Sequence, residues 1–235
     1  HKLTILASIA FGIPLQFEAA YTEGIGGISQ LDVAFAGEFG YRIKHLGITR
    51  RTEGGVELRV HPTLIPERRL IANVDGVMNA VLVQGDAVGP TLYYGAGAGA
   101  LPTASAVVAD IVDVVRSLTA DPGNRVPHLA FQPDSLADLP VLPMDEVETA
   151  FYLRLRAKDQ PGVLAEVTRI LGEQEISIEA MLQREPEEGE KDVNVILLTQ
   201  RVKEGRMNAA IQAIEALAVI TDKVTRIRVE SLAAS

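Results

Sequence analysis

Apolar and polar residues alternate along this chain with two different periods, and the change of period marks the elements. In KLTILASIAF the apolar positions 3, 5, 6, 9 and 10 predict a largely buried helix over Lys2–Phe11, stopped by Gly12 and Pro14. Ser29 with Asp32 three residues later reads as the N-cap of a second helix over residues 30–39. A run of short strands follows, at 41–51, 56–61 (ending at Pro62), 70–74, 78–83 and 91–94. Gly54-Gly55, Asp75-Gly76, Gly85-Asp86 and Gly89-Pro90 supply the turns. Spacers this short predict an antiparallel meander, because parallel neighbours need long crossovers. A third helix then begins near Pro102. Ala104, Val107, Val108 and Ile111 on one face and Asp110, Asp113 and Ser117 on the other predict that it covers the sheet.

From 121 to 146 the periodicity stops, and prolines stand at 122, 127, 133, 140 and 143. This reads as a partly extended linker at a domain boundary. Beyond it a second pattern starts: a strand at 149–157, a helix from Pro161 with Leu164, Val167, Ile170 and Leu171 on its apolar face, and strands at 176–183 and 193–199. A helix at 203–217 and a strand at 224–230 complete the order βαββαβ, the ferredoxin-like arrangement. The acidic run at 185–192 reads as a solvated turn. The fold class is therefore α+β: residues 1–120, an antiparallel-sheet domain with covering helices; 121–147, the linker; and 148–235, the ferredoxin-like domain.

Composition narrows the function. A net charge of −9 argues against nucleic acid or an anionic membrane as partner. The absence of cysteine removes disulfides, thiolate metal sites and a cysteine nucleophile, and it is compatible with the cytoplasmic location expected here. No apolar run reaches the roughly 18 residues of a membrane helix. His1, His45, His61 and His128 are scattered without paired spacing, so no metal site is expected. A helix that opens uncapped at His1 suggests further chain upstream.

Two places carry candidate chemistry. The first is the pole formed by Lys2 and the stretch YYGAGAGALPTASAVVADIVD, in which Gly95, Gly97 and Gly99 precede a helix start. Thr103 and Ser105 are potential acceptors for free amides there, and glycine-rich turns entering helices suit anions. Gly95-x-Gly97-x-x-Ala100 also passes for a dinucleotide fingerprint, but no βαβ unit with an acidic residue about 20 positions on follows it. A tight, closely packed turn and a ligand contact both remain open. Lys2 is either a solvated lysine at a helix end or, in a pocket, a proton carrier. The second place is the helix start at Asp159, Gln160, Pro161, Gly162, Val163 and Leu164. Asp159 is the candidate N-cap, and free amides with the positive end of the dipole there match a carboxylate. An ordinary capped helix is the alternative.

The segments HKLTILASIAFG, YTEGIGGISQLDVAFAGEFGYRIKHLG, VELRVHPTLIP, LIANVDGVMNAVLVQGD and YYGAGAGALPTASAVVADIVD together resemble the catalytic half of homoserine dehydrogenase. KDQPGVLAEVTRILGEQEISIEAMLQ resembles an ACT domain, an amino-acid-sensing module. The resemblance implies NAD(P)-dependent interconversion of aspartate 4-semialdehyde and homoserine, in threonine and methionine synthesis. It implies that Lys2 shuttles the proton at the substrate oxygen. It places Gly95, Gly97 and Gly99 toward an NADP or NAD cofactor held mainly by a further, N-terminal domain. It places threonine as effector at residues 159–164, between copies of a homodimer or homotetramer. A hydroxyl-bearing ligand needs a polar partner to be told from valine, and Gln183 and Asn194 are the candidates. The family's aspartate one turn before the lysine falls before His1. A purely amino-acid-sensing protein without catalysis is the competing reading.

Overall fold

The computed structural model describes residues 1–121, 125–127, 129–184, 189 and 192–232. Its helices are α1 (Lys2–Phe11), α2 (Gln30–Glu38), α3 (Ala100–Leu118), α4 (Val163–Glu173) and α5 (Glu204–Glu215). Its strands are β1 (Tyr21–Thr22), β2 (Tyr41–Thr52), β3 (Gly55–Pro66), β4 (Met78–Gly85), β5 (Gly89–Ala96), β6 (Glu148–Lys158), β7 (Ile178–Gln183), β8 (Asp192–Thr199), β9 (Val202–Lys203) and β10 (Thr225–Val229). The α+β class is borne out, and so is the βαββαβ order of the second half, with the short β9 inserted before α5.

The two halves share one sheet. Its order is β1-β3-β10-β6-β8-β7, with β2 also on β3 and β9 on β6. In the second half β6 is antiparallel to both β10 and β8, and β8 to β7. The seam is β3 beside β10, running parallel, with Arg228 opposite Thr63 and Val229 opposite Leu64. One face of the second-half sheet carries α4 and α5 over a core that includes Phe151, Leu153, Val167, Leu197 and Ile214. The other face is covered by α2 from the first half, whose Phe35 and Ala36 pack on Tyr152, Ile196, Leu198 and Ile227. A third cluster seats α1 through Leu3 and Ala7 on Val56 and Leu58 of β3.

Several expectations are corrected. The strand expected to end at Pro62 continues to Pro66. Pro62 lies between the residues of β3 that pair with β1 (Arg59, Val60) and those that pair with β10 (Thr63, Leu64), so its missing N–H breaks neither ladder. Residues 70–73 form a 3-10 helix (Leu70–Asn73) instead of a strand. The meander is therefore two separate hairpins, β2–β3 in the large sheet and β4–β5 as a sheet of its own. Helix α3 does not cover a sheet, for it has no buried residue, and Val107, Val108 and Ile111 are each more than half exposed. Helix α1 is buried on one side only, through Leu3, Thr4, Ala7 and Ser8, and exposes Ile5, Leu6 and Ile9. Amphipathic spacing reveals that a face is apolar, not which surface covers it.

The proline-rich segment is docked. Val56 donates to the Pro140 carbonyl (2.8 Å) and accepts from the Leu142 amide (2.9 Å), while the Ala137 amide reaches the Gly12 carbonyl (2.7 Å). Gly55 permits this: its φ is +141°, and a side-chain carbon there would stand 2.3 Å from the Pro140 oxygen. Of the acidic run, residues 185–188, 190 and 191 lie outside the described residues, as does His128.

Candidate functional site

Lys2 is the first residue of α1, exposed, and makes no hydrogen bond or ion pair among the described residues. The helix it opens is fixed from below by Leu3 and Ala7, so the backbone under the lysine is anchored while its ammonium is free.

The three glycines differ in their reasons. At Gly97 a side-chain carbon would lie 1.9 Å from the Asn79 side-chain nitrogen, so the exposed Asn79 would have to swing aside. Gly99 has a φ of +118° as N-cap of α3. Gly95 alone has neither a neighbour within 4 Å nor a positive φ. Gly95 and Gly97 line an open cleft of about 340 Å³ with Asn79, Tyr93 and Tyr94, and neither Gly99 nor Lys2 belongs to that lining. No side chain caps α3, so the proposed acceptors Thr103 and Ser105 do not serve there. The first helical bond runs from the Thr103 amide to the Gly99 carbonyl (3.1 Å). Among the described residues no hydrogen bond or ion pair joins Lys2 to this stretch.

At the second candidate, Gly162 is the N-cap of α4, with φ +94° and no side-chain cap bond. Asp159 is therefore not the cap, and Pro161 precedes the helix, because the αL turn at Gly162 starts it later than proline spacing suggested. The first helical bond is from the Glu166 amide to the Gly162 carbonyl (3.1 Å), and the amides of Val163, Leu164 and Ala165 meet no acceptor among the described residues. Residues 159–162 are exposed. Gln183 is opposite Val195 in register, so it shares the face of the α4 side, whereas Asn194 points to the other face. Only one of them can meet a ligand beside α4.

Sequence reading missed the charged groups at the seam, each contributed by both halves. Asp32, fully buried at the start of α2, accepts from Ser29 N (2.9 Å) and Oγ (2.6 Å), from Arg154 Nε (2.7 Å) and Nη2 (3.2 Å), and from the Tyr152 hydroxyl (3.1 Å). Burial alone pushes the Asp32 carboxyl up, but the bonds from Arg154 and Ser29 and the Arg154 charge hold it below its usual value. Burial and the Asp32 charge push the Tyr152 hydroxyl far above its usual range. Arg59 donates to Glu57 (3.0 Å) and to Glu230 (2.5 Å). Arg228 is paired with Glu204, and with Glu23 (2.9 Å) and the Tyr21 hydroxyl (3.0 Å) across the seam.

His61 sits among these groups. Arg59 Nη1 lies 2.8 Å from His61 Nε2, and because a guanidinium can only donate, that nitrogen is the acceptor and the ring is neutral. Nδ1 then donates to the Pro62 carbonyl (3.0 Å). Burial first, then the charge of Arg228, holds the imidazole down to about 3. Alternation put Glu57, Arg59 and His61 on one face of a strand, a charged face that becomes intelligible only once β10 is beside it. Among the described residues no group of acidic and imidazole side chains could hold a metal, and no helix is long and apolar enough to cross a membrane.

Fold and sites define the class: an α+β module with a lysine-headed helix and a glycine shelf, fused through one sheet to a ferredoxin-like module. Residues 1–112 match the family model described as homoserine dehydrogenase, and residues 151–219 the model described as ACT domain. A homoserine dehydrogenase of Pseudomonas aeruginosa is 66% identical over 99% of this chain and 54% of its own length. That of Neisseria gonorrhoeae is 54% identical over 99% of this chain and 53% of its own. The crystal structure of a homoserine dehydrogenase from Thiobacillus denitrificans superposes with a TM-score of 0.92 at 67% identity, covering 99% of this chain and 52% of that one. The first part of the chain matches the homoserine dehydrogenase family model, and the chain spans about half the length of the curated relatives it matches.

Proposed function

We propose that this chain forms the substrate-side and regulatory part of a homoserine dehydrogenase, interconverting L-aspartate 4-semialdehyde and L-homoserine in the supply of threonine and methionine. The observation that carries the proposal is the match over residues 1–112, with Lys2 standing free at the head of an anchored helix. Residues 1–120 are the catalytic domain, 121–147 the connection, and 148–235 the regulatory domain, in the cytoplasm.

The residues present fit a nicotinamide cofactor in part. Gly95 leaves open space for close approach, but the large sheet's mixed order is not the doubly wound sheet of a dinucleotide domain. NADP or NAD is thus held mainly outside these residues. When bound, it supplies or accepts the hydride. Lys2 gives its proton to the substrate oxygen during reduction and takes it back during oxidation, while Gly95, Gly97 and Gly99 border the cofactor.

Threonine is the effector at Asp159, Gln160, Pro161, Gly162, Val163 and Leu164. The free amides of Val163 and Leu164 receive its carboxylate. Among the described residues strand β7 has a single partner, β8, which leaves an edge for a second copy in a homodimer or homotetramer. An absorbance assay of the complete protein with aspartate 4-semialdehyde and reduced nicotinamide tests the proposal. Substrate-dependent cofactor oxidation, inhibited by threonine, is expected, and its absence under both cofactors overturns the reading.

A further inference from the structure

Strand β1 pairs with β3 only at Tyr21–Arg59 and Thr22–Val60, a short ladder for a segment that leads toward the catalytic helix. Its side chains are gripped from the other half of the chain. Arg228 of β10, fully buried, donates from Nη1 to Glu23 (2.9 Å) and from Nη2 to the Tyr21 hydroxyl (3.0 Å). Its guanidinium lies 4.9 Å from the centre of the Tyr21 ring, and the Tyr21 hydroxyl donates to Glu23 (2.9 Å). Buried Glu204, at the start of α5, holds the same guanidinium through Nε (2.8 Å). A planar fork with fixed donor directions therefore sets Tyr21 and Glu23 together.

Upstream of β1 the chain forms a 3-10 helix at Phe17–Ala19. There the Phe17 ring lies flat on the His1 imidazole, with centroids 4.0 Å and planes 9° apart. His1 is the N-cap of α1, and its carbonyl accepts from the Thr4 hydroxyl (2.8 Å) and the Ile5 amide (3.2 Å). The stack thus bears on the turn from which Lys2 projects. Phe17 is 45% exposed and belongs to none of the three apolar clusters, so the core does not need it. The sheet puts β1 at the same level: Thr22 is opposite Val60, and Val60 opposite Gly47. Leu3 lies 3.4 Å from where a side-chain carbon on Gly47 would stand.

We propose that Phe17 is a positioning residue for Lys2, and that Arg228 holds Phe17 in place through Tyr21 and Glu23, so that the second half of the chain sets the head of the catalytic helix. The inference rests on the reading of Lys2 as the proton carrier. Neither Phe17 nor Arg228 touches the reacting atoms. A misplacement of about 1 Å costs about a hundredfold in rate, so loss of the stack is read in kcat and not in substrate affinity.

Steady-state kinetics of the full-length enzyme tests it with Phe17→Ala, Phe17→Tyr, Glu23→Ala and the double variant Phe17→Ala/Glu23→Ala. Phe17→Ala should lower kcat at least about tenfold, with KM for aspartate 4-semialdehyde within about twofold of wild type. Its Tm should fall by no more than about 2 °C, as for a partly exposed side chain outside the core. Phe17→Tyr keeps the ring and should restore kcat. Glu23→Ala leaves Arg228 paired with Glu204, so the fold is kept, and it should lower kcat at least about threefold. The double variant should be no slower than Phe17→Ala, because both changes act through one contact. A kcat for Phe17→Ala within about twofold of wild type, a loss that Phe17→Tyr does not restore, or single losses that multiply in the double variant overturns the proposal. Lys2→Ala separates the two readings. A wild-type rate there sinks the role of Lys2 itself, whereas a slow Lys2→Ala beside a fully active Phe17→Ala sinks only this inference.

Discussion

Asp32→Asn isolates one buried charged contact between the two halves. The wild-type carboxylate is fully buried and takes five hydrogen bonds, two of them from Arg154 and one from Tyr152, both in β6. An asparagine has one acceptor oxygen and two N–H donors, so its nitrogen would face the donors of Arg154 or Ser29. Arg154, only 14% exposed, would lose the charge it pairs with. Breaking a buried pair by removing one partner costs about 3–5 kcal/mol. For a chain of this size that lowers Tm by roughly 6–20 °C, at 2–4 °C per kcal/mol. Removing both charges is milder, because no unpaired ion remains. Urea unfolding of Asp32→Asn, Arg154→Met and the double variant therefore should give a double variant less unstable than the sum of the singles. A loss under about 1 kcal/mol for Asp32→Asn, or strict additivity, would refute the claim that this pair holds the seam.

Other consequences follow from single features. Because the folded protein holds His61 at about 3 while an unfolded histidine titrates near 6.5, only the unfolded chain takes up that proton as pH falls. Stability is thus full above about 6.5 and declines toward pH 3, by about 2 kcal/mol at pH 5; urea midpoints at pH 7 and 5 check this, and a flat profile contradicts it. Gly55→Ala should cost about 1–3 kcal/mol and release the proline-rich segment, read as faster proteolysis between 121 and 146, since φ +141° and the Pro140 oxygen both oppose a side chain. Threonine at about a hundred times its Kd should raise stability by about 2.7 kcal/mol. Thermal scans with threonine and valine measure it, and an equal shift from valine would tell against a threonine site at residues 159–164.

Much of the fold was legible because local signals dominate it. The Ser29–Asp32 capping box is present as its spacing predicts, and the strands of the second half stand where their apolar runs put them, although β6 and β8 are buried on both faces and only β7 alternates in burial. What was not legible is what depends on a distant neighbour. VELRVH reads as a half-buried strand, yet Glu57, Arg59 and His61 are buried: Glu230, 171 residues beyond Arg59, arrives to pair with Arg59, which in turn partners Glu57 and His61. Helix α3 has a strong apolar face, but nothing in its own period says whether this chain covers it. The Asp159 cap failed for a conformational reason, the left-handed turn at Gly162, which Pro161 obscured in the sequence. For the candidate site, residue types identified Lys2 and the glycine stretch. The separate causes at Gly95, Gly97 and Gly99 needed coordinates.

The central claim, that the free lysine at the head of α1 carries the proton in a homoserine dehydrogenase reaction, is tested most directly by steady-state kinetics of Lys2→Ala in the complete enzyme. The variant should lower kcat by about 10²–10⁴-fold with little change in KM for aspartate 4-semialdehyde, as loss of a general acid–base group does, and should melt within about 1 °C of wild type because the Lys2 side chain makes no hydrogen bond or ion pair among the described residues. A kcat near the wild-type value would contradict the account and return Lys2 to a solvated lysine at a helix end.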